Sequence, residues 1–375
     1  MLYLILIIGL LLAAVNEKKF SPKLYVFLLM LTASLRYGLG ADYFSYNYLY
    51  LHTYNSVYAE LVFGYGHAQE PGYRAIAAFC RYLNLSYGVF LAVIAVITLY
   101  FIYKLCVKYA KNPTLALVVF YACYYFVWSL SALRQGIVIS IGLYFLMEAV
   151  KDKKIIKFII VTLILSLIHY SALLLFVFYV VSLINFKKWH LAVILLAAIL
   201  FNLIPLKEIL ENYNGSIYIF RKLASYAAAD NSPATLFQFS SLARLAFLMI
   251  AFVVYDVYCA DNPFNKRVMN MYILSFAIYF VFKFSELTAA RLAIYGKVLD
   301  ILIFTNVFYY LKRKDNKIVY AAFLAVLIGA YFFKELNTME FQSKLVDQYK
   351  YFTPYVNIFN KDNFTFIDGL IELIE

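Results

Sequence analysis

Residues 86–106 read SYGVFLAVIAVITLYFIYKLC, and Lys104, near the end, is the one charged residue among them. A helix that crosses a bilayer needs about 20 consecutive, largely apolar residues, and this run supplies them. The rest of the chain continues the pattern, since 65% of its 375 residues are hydrophobic and 14% are charged. A soluble domain is about half apolar and a quarter charged. The sequence therefore indicates a polytopic integral membrane protein with an all-α fold.

The same criterion predicts about twelve transmembrane helices. The first has the length of a secretory signal peptide, which is the alternative interpretation. No basic residue precedes it, and Lys18, Lys19 and Lys23 follow it, so we expect a spanning helix whose N-terminus lies outside. The predicted spans lie near 1–15, 24–38, 86–106, 113–130, 133–150, 155–169, 171–186, 189–204, 241–259, 267–284, 292–311 and 317–334.

Basic clusters alternate along the connections between these spans. Because cytoplasmic loops carry an excess of lysine and arginine, every second connection is predicted to be cytoplasmic, and both termini lie on the outer side of the cell membrane. Three longer segments, near 39–85, 205–240 and 335–375, then face outward from a single membrane-embedded domain, 1–375. The inner connections are short, so we expect any substrate pocket on the outer side. The inner clusters are Lys18/Lys19/Lys23, Lys104/Lys108/Lys111, Lys151/Lys153/Lys154/Lys157, Lys187/Lys188, Lys266/Arg267 and Lys312/Arg313/Lys314/Lys317.

Several ligand classes fit this composition poorly. The formal net charge of +12 requires no nucleic acid, because most cations lie in connections that a membrane places beside anionic lipid head groups. Four scattered cysteines give no disulfide framework, and the chain has no Gly-rich phosphate loop on its inner side, no HExxH pair and no GxSxG elbow. Asp42, Glu60 and Glu70 leave a carboxylate metal site as an alternative. Without DxD spacing, we expect no metal and no cofactor.

Arginine is concentrated in the first part of the predicted outer side, where every cation before Lys207 is an arginine. An arginine near a helix centre costs about 2.5–3.5 kcal/mol on insertion scales, and less near an end. Guanidinium grips phosphate or carboxylate through paired hydrogen bonds, so these residues predict a phosphate or pyrophosphate ligand. The alternative is that each arginine caps a helix C-terminus or pairs with a carboxylate such as Asp42 or Glu286. The outer arginines include Arg36, Arg74, Arg81, Arg134, Arg244 and Arg291.

The run RYGLGADYFSYNYLY at 36–50 begins the first outer segment. Gly38 and Gly40 are expected to break the preceding helix, and Asp42 follows at the mouth of the segment. The tyrosines, including Tyr43 and Tyr46, either belong to an interfacial aromatic belt or line a binding groove, since tyrosine rings stack on sugar faces and bond to sugar hydroxyls. Further on, EPGY at 70–73 precedes apolar residues at helical spacing, which predicts an amphipathic helix on the membrane surface with proline near its first turn.

Three outer hairpins carry the remaining candidates. SLSALRQ at 129–135 ends in Arg134 and Gln135, IHYSA at 168–172 contains His169, and SELTAARL at 285–292 contains Glu286 and Arg291. A histidine between membrane helices is a candidate proton shuttle or phosphate donor. The alternative is an interfacial histidine bonded to a neighbouring carbonyl.

Taken as an ordered set, these motifs resemble the EpsG family, a branch of the Wzy-like polysaccharide polymerases. The set comprises RYGLGADYFSY at 36–46, EPGY at 70–73, SALRQ at 131–135, IHYSA at 168–172, the late outer Arg291 and the aromatic-proline stretch YFTPY at 351–355. The resemblance covers most of the chain, but residues 205–240 match none of these motifs. We expect that loop to govern which sugar is accepted.

The resemblance implies an all-helical membrane glycosyltransferase similar in plan to the GT-C superfamily. It implies a polymerase that joins polyprenyl-pyrophosphate-linked repeat units on the outer side of the membrane and releases polyprenyl pyrophosphate. Its partners would be the lipid-linked donor and acceptor, membrane lipid and a possible chain-length regulator. Arg36, Arg134 and Arg291 would hold the pyrophosphate, and His169 would contact it or deprotonate the acceptor, with Asp42 as the rival base. Expected substrate contacts are Arg36, Tyr43, Tyr46, Glu70, Arg74, Gln135, Tyr170, Arg244 and Glu286.

Three other functions remain alternatives at this level. A glycan ligase uses the same chemistry, a transporter or flippase for lipid-linked sugars also needs arginines that bind phosphate, and a membrane acyltransferase would need a base such as His169. Transport usually places polar groups near the midplane and shows internal repeat symmetry. The candidates here lie at one predicted face and no repeat is evident, so we favour the polymerase.

Overall fold

The structure is a computed structural model that describes residues 1–15, 20–40, 42–64, 69–201, 204–212, 215, 221, 224, 239–260, 262–338 and 355–363. These residues form helices and no strand, apart from one isolated bridge between Arg36 and Asn357. The all-α prediction is confirmed for this part of the chain. The helices are α1 (Leu2–Val15), α2 (Ser21–Leu35), α3 (Tyr43–Leu51), α4 (Val57–Phe63), α5 (Pro71–Tyr82), α6 (Tyr87–Tyr109), α7 (Pro113–Phe120), α8 (Leu133–Asp152), α9 (Ile155–Ser166), α10 (Leu174–Leu183), α11 (Lys188–Leu200), α12 (Leu206–Glu211), α13 (Phe239–Cys259), α14 (Pro263–Val281), α15 (Glu286–Lys297), α16 (Asp300–Tyr310) and α17 (Lys314–Thr338).

Four of these helices are long and apolar enough to cross a membrane, namely α6, α7 with its continuation, α8 and α17. Five more apolar helices, α1, α2, α9, α11 and α10 with its 3₁₀ lead-in, are shorter. The remaining predicted spans stay predictions. The region predicted as a span near 292–311 contains two helices rather than one, because α15 ends at Lys297 and α16 begins at Asp300.

Two local features were absent from the sequence expectation. Residues Tyr121–Ser131 continue α7 as a π-helix, although the run reads as one uniform apolar stretch. The first outer segment contains α3 and α4 in addition to the expected amphipathic helix, which is confirmed as α5 with Pro71 in its first turn.

The chain divides into two compact units, Met1–Leu173 with Phe304–Glu375, and Leu174–Ile303. In the first unit, α6 packs against α2 and α8, α8 packs against α9, and the π-helix packs against α17. Its core is unusually aromatic, with Phe90, Tyr121, Tyr125 and Phe126 all fully buried. In the second unit, α14 packs against α10, α11, α13 and α15. The single membrane-embedded domain remains a prediction.

The buried side chain of Arg36 caps the C-terminus of α2. Its side chain is 2% exposed and donates to the carbonyls of Ala33 (2.7 Å), Leu39 (3.2 Å) and Leu130 (3.0 Å). Gly40, at φ +115°, brings its backbone so close to the Leu130 carbonyl that a Cβ would lie 2.8 Å from that oxygen. The run at 36–40 therefore ties the end of α2 to the end of the π-helix, one residue before α8 begins.

Candidate functional site

A buried carboxylate in the first unit joins three distant segments of the chain. Glu70, at the N-terminus of α5, is 3% exposed. Its Oε2 accepts from Nη1 of Arg134, its Oε1 accepts from the backbone N–H of Tyr170 at 3.3 Å, and Nδ1 of His169 lies 3.8 Å from Oε1. The sequence singled out all four of these residues, and the structure brings them together around one side chain.

The local chain path explains why Glu70 reaches His169. The N–H of Gly72 donates to the carbonyl of Leu167 at 2.7 Å, and a Cβ at Gly72 would lie 2.7 Å from that oxygen. A glycine is therefore needed for the first turn of α5 to lie against the end of α9. Pro71 suits this first turn because its missing N–H has no partner to lose there.

Arg134 lies in the first turn of α8, and three groups of the first unit fix its guanidinium. Besides Glu70, it donates from Nε to the hydroxyl of Tyr46 at 3.3 Å, and its Cζ lies 5.9 Å from the ring centroid of Tyr73. Burial raises the pKa of Tyr73, so its ring is neutral and presents its negative face to the cation. The side chain of Arg134 is still 22% exposed. A guanidinium has five N–H donors, and the two contacts to Tyr46 and Glu70 leave donor capacity for an anion.

The hydrogen bonds of His169 indicate which ring nitrogen carries its proton. Nδ1 accepts from the backbone N–H of Ser171 at 3.2 Å and lies 2.9 Å from the Ser171 hydroxyl. Because a backbone N–H only donates, Nδ1 is an acceptor, and the neutral ring carries its proton on Nε2. The side chain is 19% exposed, so the ring lies at the edge of the buried cluster.

A second cluster of predicted residues lies in the second unit. Arg244 donates from Nη1 to Oε1 of Glu286 at 2.6 Å and to the hydroxyl of Tyr279, which in turn donates to Oε2 of Glu286 at 2.6 Å. The Cζ of Arg244 lies 3.8 Å from the centre of the Tyr279 ring. Arg291 belongs to the same helix as Glu286, α15. The sequence named Arg244 and Glu286 separately, and the structure shows that they form one ion pair.

Other candidates have contacts that account for them structurally. Arg36 is the helix cap described above, which supports the capping alternative over a pyrophosphate contact. Arg74 pairs with the fully buried Glu60 at 2.8 Å and so joins α5 to α4, which supports the pairing alternative over a substrate contact.

Three further candidates have defined places in the first unit. The backbone carbonyl of Tyr43, which is 4% exposed, accepts from the Tyr87 hydroxyl at 2.9 Å. Asp42 precedes the first residue of α3, and Gln135 is buried beside Arg134 in α8. Their roles toward substrate stay predictions.

The carboxylates proposed as an alternative metal site bind separate partners. Glu60 and Glu70 each hold a different arginine, and Asp42 precedes a third helix. Among the residues that the structure describes, no three His, Cys, Asp or Glu side chains are grouped as a metal site requires.

Sequence reasoning overlooked two members of the site, Tyr73 and Ser171. Tyr73 supports the guanidinium of Arg134, and Ser171 orients the ring of His169. Both lie inside motifs that the sequence had singled out, EPGY and IHYSA. Their closeness in sequence to Glu70 and His169 could have identified them as candidates.

Comparison with known proteins identifies the family. No curated protein and no solved structure matches the chain significantly. The family model described as the EpsG family matches residues 5–357, nearly the whole length. The resemblance seen in the short motifs is thereby confirmed, and the chain belongs to the EpsG family of membrane proteins of polysaccharide biosynthesis.

Proposed function

We propose that this protein is a polysaccharide polymerase that joins polyprenyl-pyrophosphate-linked repeat units by glycosyl transfer. The observation that carries the proposal is the convergence of Arg134, His169 and Tyr170 on buried Glu70. Family membership supports the biosynthetic setting. We propose that the protein's helix arrangement resembles that of GT-C glycosyltransferases and that the reaction takes place at the outer face of the membrane.

The reaction requires a site that stabilises a leaving anion. The acceptor hydroxyl attacks the anomeric carbon of the donor, the bond from that carbon to the pyrophosphate oxygen breaks, and the electron pair stays on the departing polyprenyl pyrophosphate. Preorganised donors aimed at the developing charge are commonly the largest contribution to such catalysis. In our proposal, Arg134 and the Nε2–H of His169 donate to the pyrophosphate.

Glu70 acts in this scheme as a positioning residue. Its carboxylate is buried and faces Arg134, so it fixes the guanidinium before the substrate arrives. The Nδ1 of His169 already accepts a hydrogen bond. We therefore assign the role of general base to Asp42, which would take the proton from the attacking hydroxyl of the acceptor sugar. That residue lies one helical turn before Tyr46, whose hydroxyl contacts Arg134. For Arg244, Glu286 and Arg291, the roles toward substrate stay as the sequence predicts them.

The test is a strain carrying Arg134→Lys, which keeps the charge but removes the paired donors. Removing one preorganised donor typically costs about 100-fold or more in rate, so we expect single lipid-linked repeats to accumulate and long chains to disappear. Arg74→Lys is the matched control, since Arg74 also pairs with a buried glutamate but lies outside the proposed site. Unchanged chain length in Arg134→Lys would remove Arg134 from the mechanism.

The same strain separates the polymerase from its alternatives. Loss of a ligase would leave long chains attached to the lipid carrier. Loss of a transporter would leave single repeats on the inner side of the membrane, where an impermeant reagent does not reach them. Either pattern would replace the polymerase proposal.

A further inference from the structure

The second unit contains a cavity of about 640 Å³ beside the N-terminus of α14. Its walls come from the end of α10 with the residues that follow, and from the start of α14. The polar lining residues include Asn185, Asn262, Lys266, Arg267 and Asn270. The lysine distribution of the sequence predicts this end of the unit to be cytoplasmic, whereas the polymerase residues are predicted to lie on the outer side.

The charges at this cavity favour an anion. Lys266 and Arg267 lie in the first turns of α14, where the helix dipole is positive. Lys266 uses one of its three donors for Oδ1 of Asn185, at 2.6 Å. A phosphate in the cavity would therefore meet two cations and the positive end of a 19-residue helix.

Asn270 needs a hydrogen-bond donor, which a bare phosphate does not supply. Its side chain is 1% exposed, and its amide nitrogen donates to the carbonyl of Ile184 at 3.4 Å. Since a carbonyl only accepts, this contact fixes the orientation of the amide. The opposite atom, Oδ1, is buried and finds no donor among the residues that the structure describes. Leaving a buried acceptor unpaired is unfavourable, and a phosphate oxygen, itself an acceptor, does not relieve it.

We propose that this cavity binds a phosphate ester that carries a free hydroxyl, with Lys266 and Arg267 binding the phosphate and the hydroxyl donating to Oδ1 of Asn270. A glycerol-phosphate group has this chemistry, either as the head group of an anionic phospholipid or as a soluble metabolite. The volume of the cavity accommodates such a group. The site is separate from the proposed polymerase chemistry and does not depend on it.

The experiment measures ligand binding to the purified full-length protein in detergent. The probes are short-chain phosphatidylglycerol, short-chain phosphatidylmethanol and soluble glycerol phosphate. The two lipids have the same charge, but phosphatidylmethanol lacks a hydroxyl. We expect phosphatidylglycerol to bind at least 10-fold more tightly than phosphatidylmethanol. Equal affinity for soluble glycerol phosphate would identify a soluble ligand, and binding of the lipid alone would identify a membrane component.

Three variants locate the binding. Lys266→Gln with Arg267→Gln should weaken binding of both lipids at least 10-fold, whereas Asn270→Ala should remove the preference for phosphatidylglycerol and leave phosphatidylmethanol unaffected. Lys188→Gln is the control for loss of a basic side chain elsewhere, because Lys188 belongs to the same unit, pairs with Asp256 and does not line the cavity. A thermal melt of each variant confirms folding. Absence of binding, equal affinity for the two lipids, or an equal loss in Lys188→Gln would overturn the proposal.

Discussion

At the scale of single residues, the site depends on how the protein compensates buried charge. A carboxylate taken out of water loses several kcal/mol of solvation, which an ion pair and hydrogen bonds must offset. Glu70 obtains this compensation from Arg134 and from the backbone of Tyr170. The same contacts hold Arg134 in one geometry, so the pairing that stabilises the fold also preorganises the proposed anion site.

Replacing Glu70 with glutamine keeps the volume of the side chain and removes its charge. We expect Glu70→Gln to destabilise the protein by about 1–3 kcal/mol, because Arg134 is left partly buried without its partner but retains access to water. We also expect polymerisation per folded molecule to fall at least 10-fold. Thermal unfolding and chain-length analysis measure the two effects. Glu60→Gln, the matched change at the Arg74–Glu60 pair, should lower stability alone; an equal loss of activity there would argue against a specific role for Glu70.

The tautomer of His169 leads to a second residue-scale prediction. If Nε2–H donates to the leaving pyrophosphate, His169→Gln should retain part of the activity, because a glutamine amide also donates, whereas His169→Leu should lose it. Glutamine does not accept a proton at neutral pH. If His169 were the general base, both variants would therefore lose activity to the same extent. Initial rates of both variants on a lipid-linked repeat distinguish the two roles.

Sequence alone identified Glu70, Arg134 and His169 but not their contacts. Glu70 and Arg134 are 64 residues apart, and neither periodicity nor motif spacing encodes a contact at that separation. Arg36 illustrates the opposite difficulty. Its position at a predicted membrane edge fits a phosphate ligand and a helix cap equally well, and only its three carbonyl acceptors separate the two.

At the scale of secondary-structure elements, the docking of α5 onto the end of α9 assembles the site. The contact is made by backbone, through the N–H of Gly72 and the carbonyl of Leu167. Glu70 lies just ahead of this contact and His169 just after it. Any shift of α5 therefore changes the distance between Glu70 and the 169–171 segment.

Gly72→Ala tests this docking contact. The added Cβ would lie 2.7 Å from the Leu167 carbonyl oxygen, so the backbone must move and the activity should fall along with the thermal stability. Gly88→Ala is the matched control in the first turn of α6. A Cβ there has only the Ser86 hydroxyl within 4.0 Å, and the change should be neutral or stabilise by about 0.5–1 kcal/mol through helix propensity. Full activity in Gly72→Ala would contradict the proposed docking.

Elements differed in how well the sequence predicted them. The helix after EPGY was predictable because proline marks the first turn and the apolar spacing marks the buried face. The π-helix at Tyr121–Ser131 was not, since the run is largely apolar and contains no glycine or proline. The break between Lys297 and Asp300 was also missed. Gly296 lies directly before it, but a single glycine inside an apolar helical pattern does not by itself predict where a helix ends.

At the scale of the whole molecule, the distribution of lysine predicts the orientation in the membrane. The net charge of +12 comes largely from clusters at alternate connections, which the positive-inside rule assigns to the cytoplasm. The proposed polymerase residues then belong to the outer side, which is where the proposal requires the lipid-linked substrate to bind.

Cysteine accessibility tests this orientation. Tyr58 is 72% exposed and lies in the predicted outer segment, whereas Lys312 is exposed in a predicted inner cluster. With Cys259 replaced by serine, we expect an impermeant thiol reagent to label Tyr58→Cys in intact cells and Lys312→Cys only after permeabilisation. Cys80, Cys106 and Cys123 are buried, so we expect them not to react with the reagent. The reverse pattern would invert the assigned topology.

The most direct measurement is the reaction itself, with purified protein and a single lipid-linked repeat unit, followed by separation of the products by length. We predict a ladder of polymers from the native chain together with released polyprenyl pyrophosphate. We predict unextended substrate from Arg134→Lys and a ladder from Arg74→Lys. A native ladder that persists unchanged in Arg134→Lys would contradict the central claim that the guanidinium held by Glu70 stabilises the departing pyrophosphate.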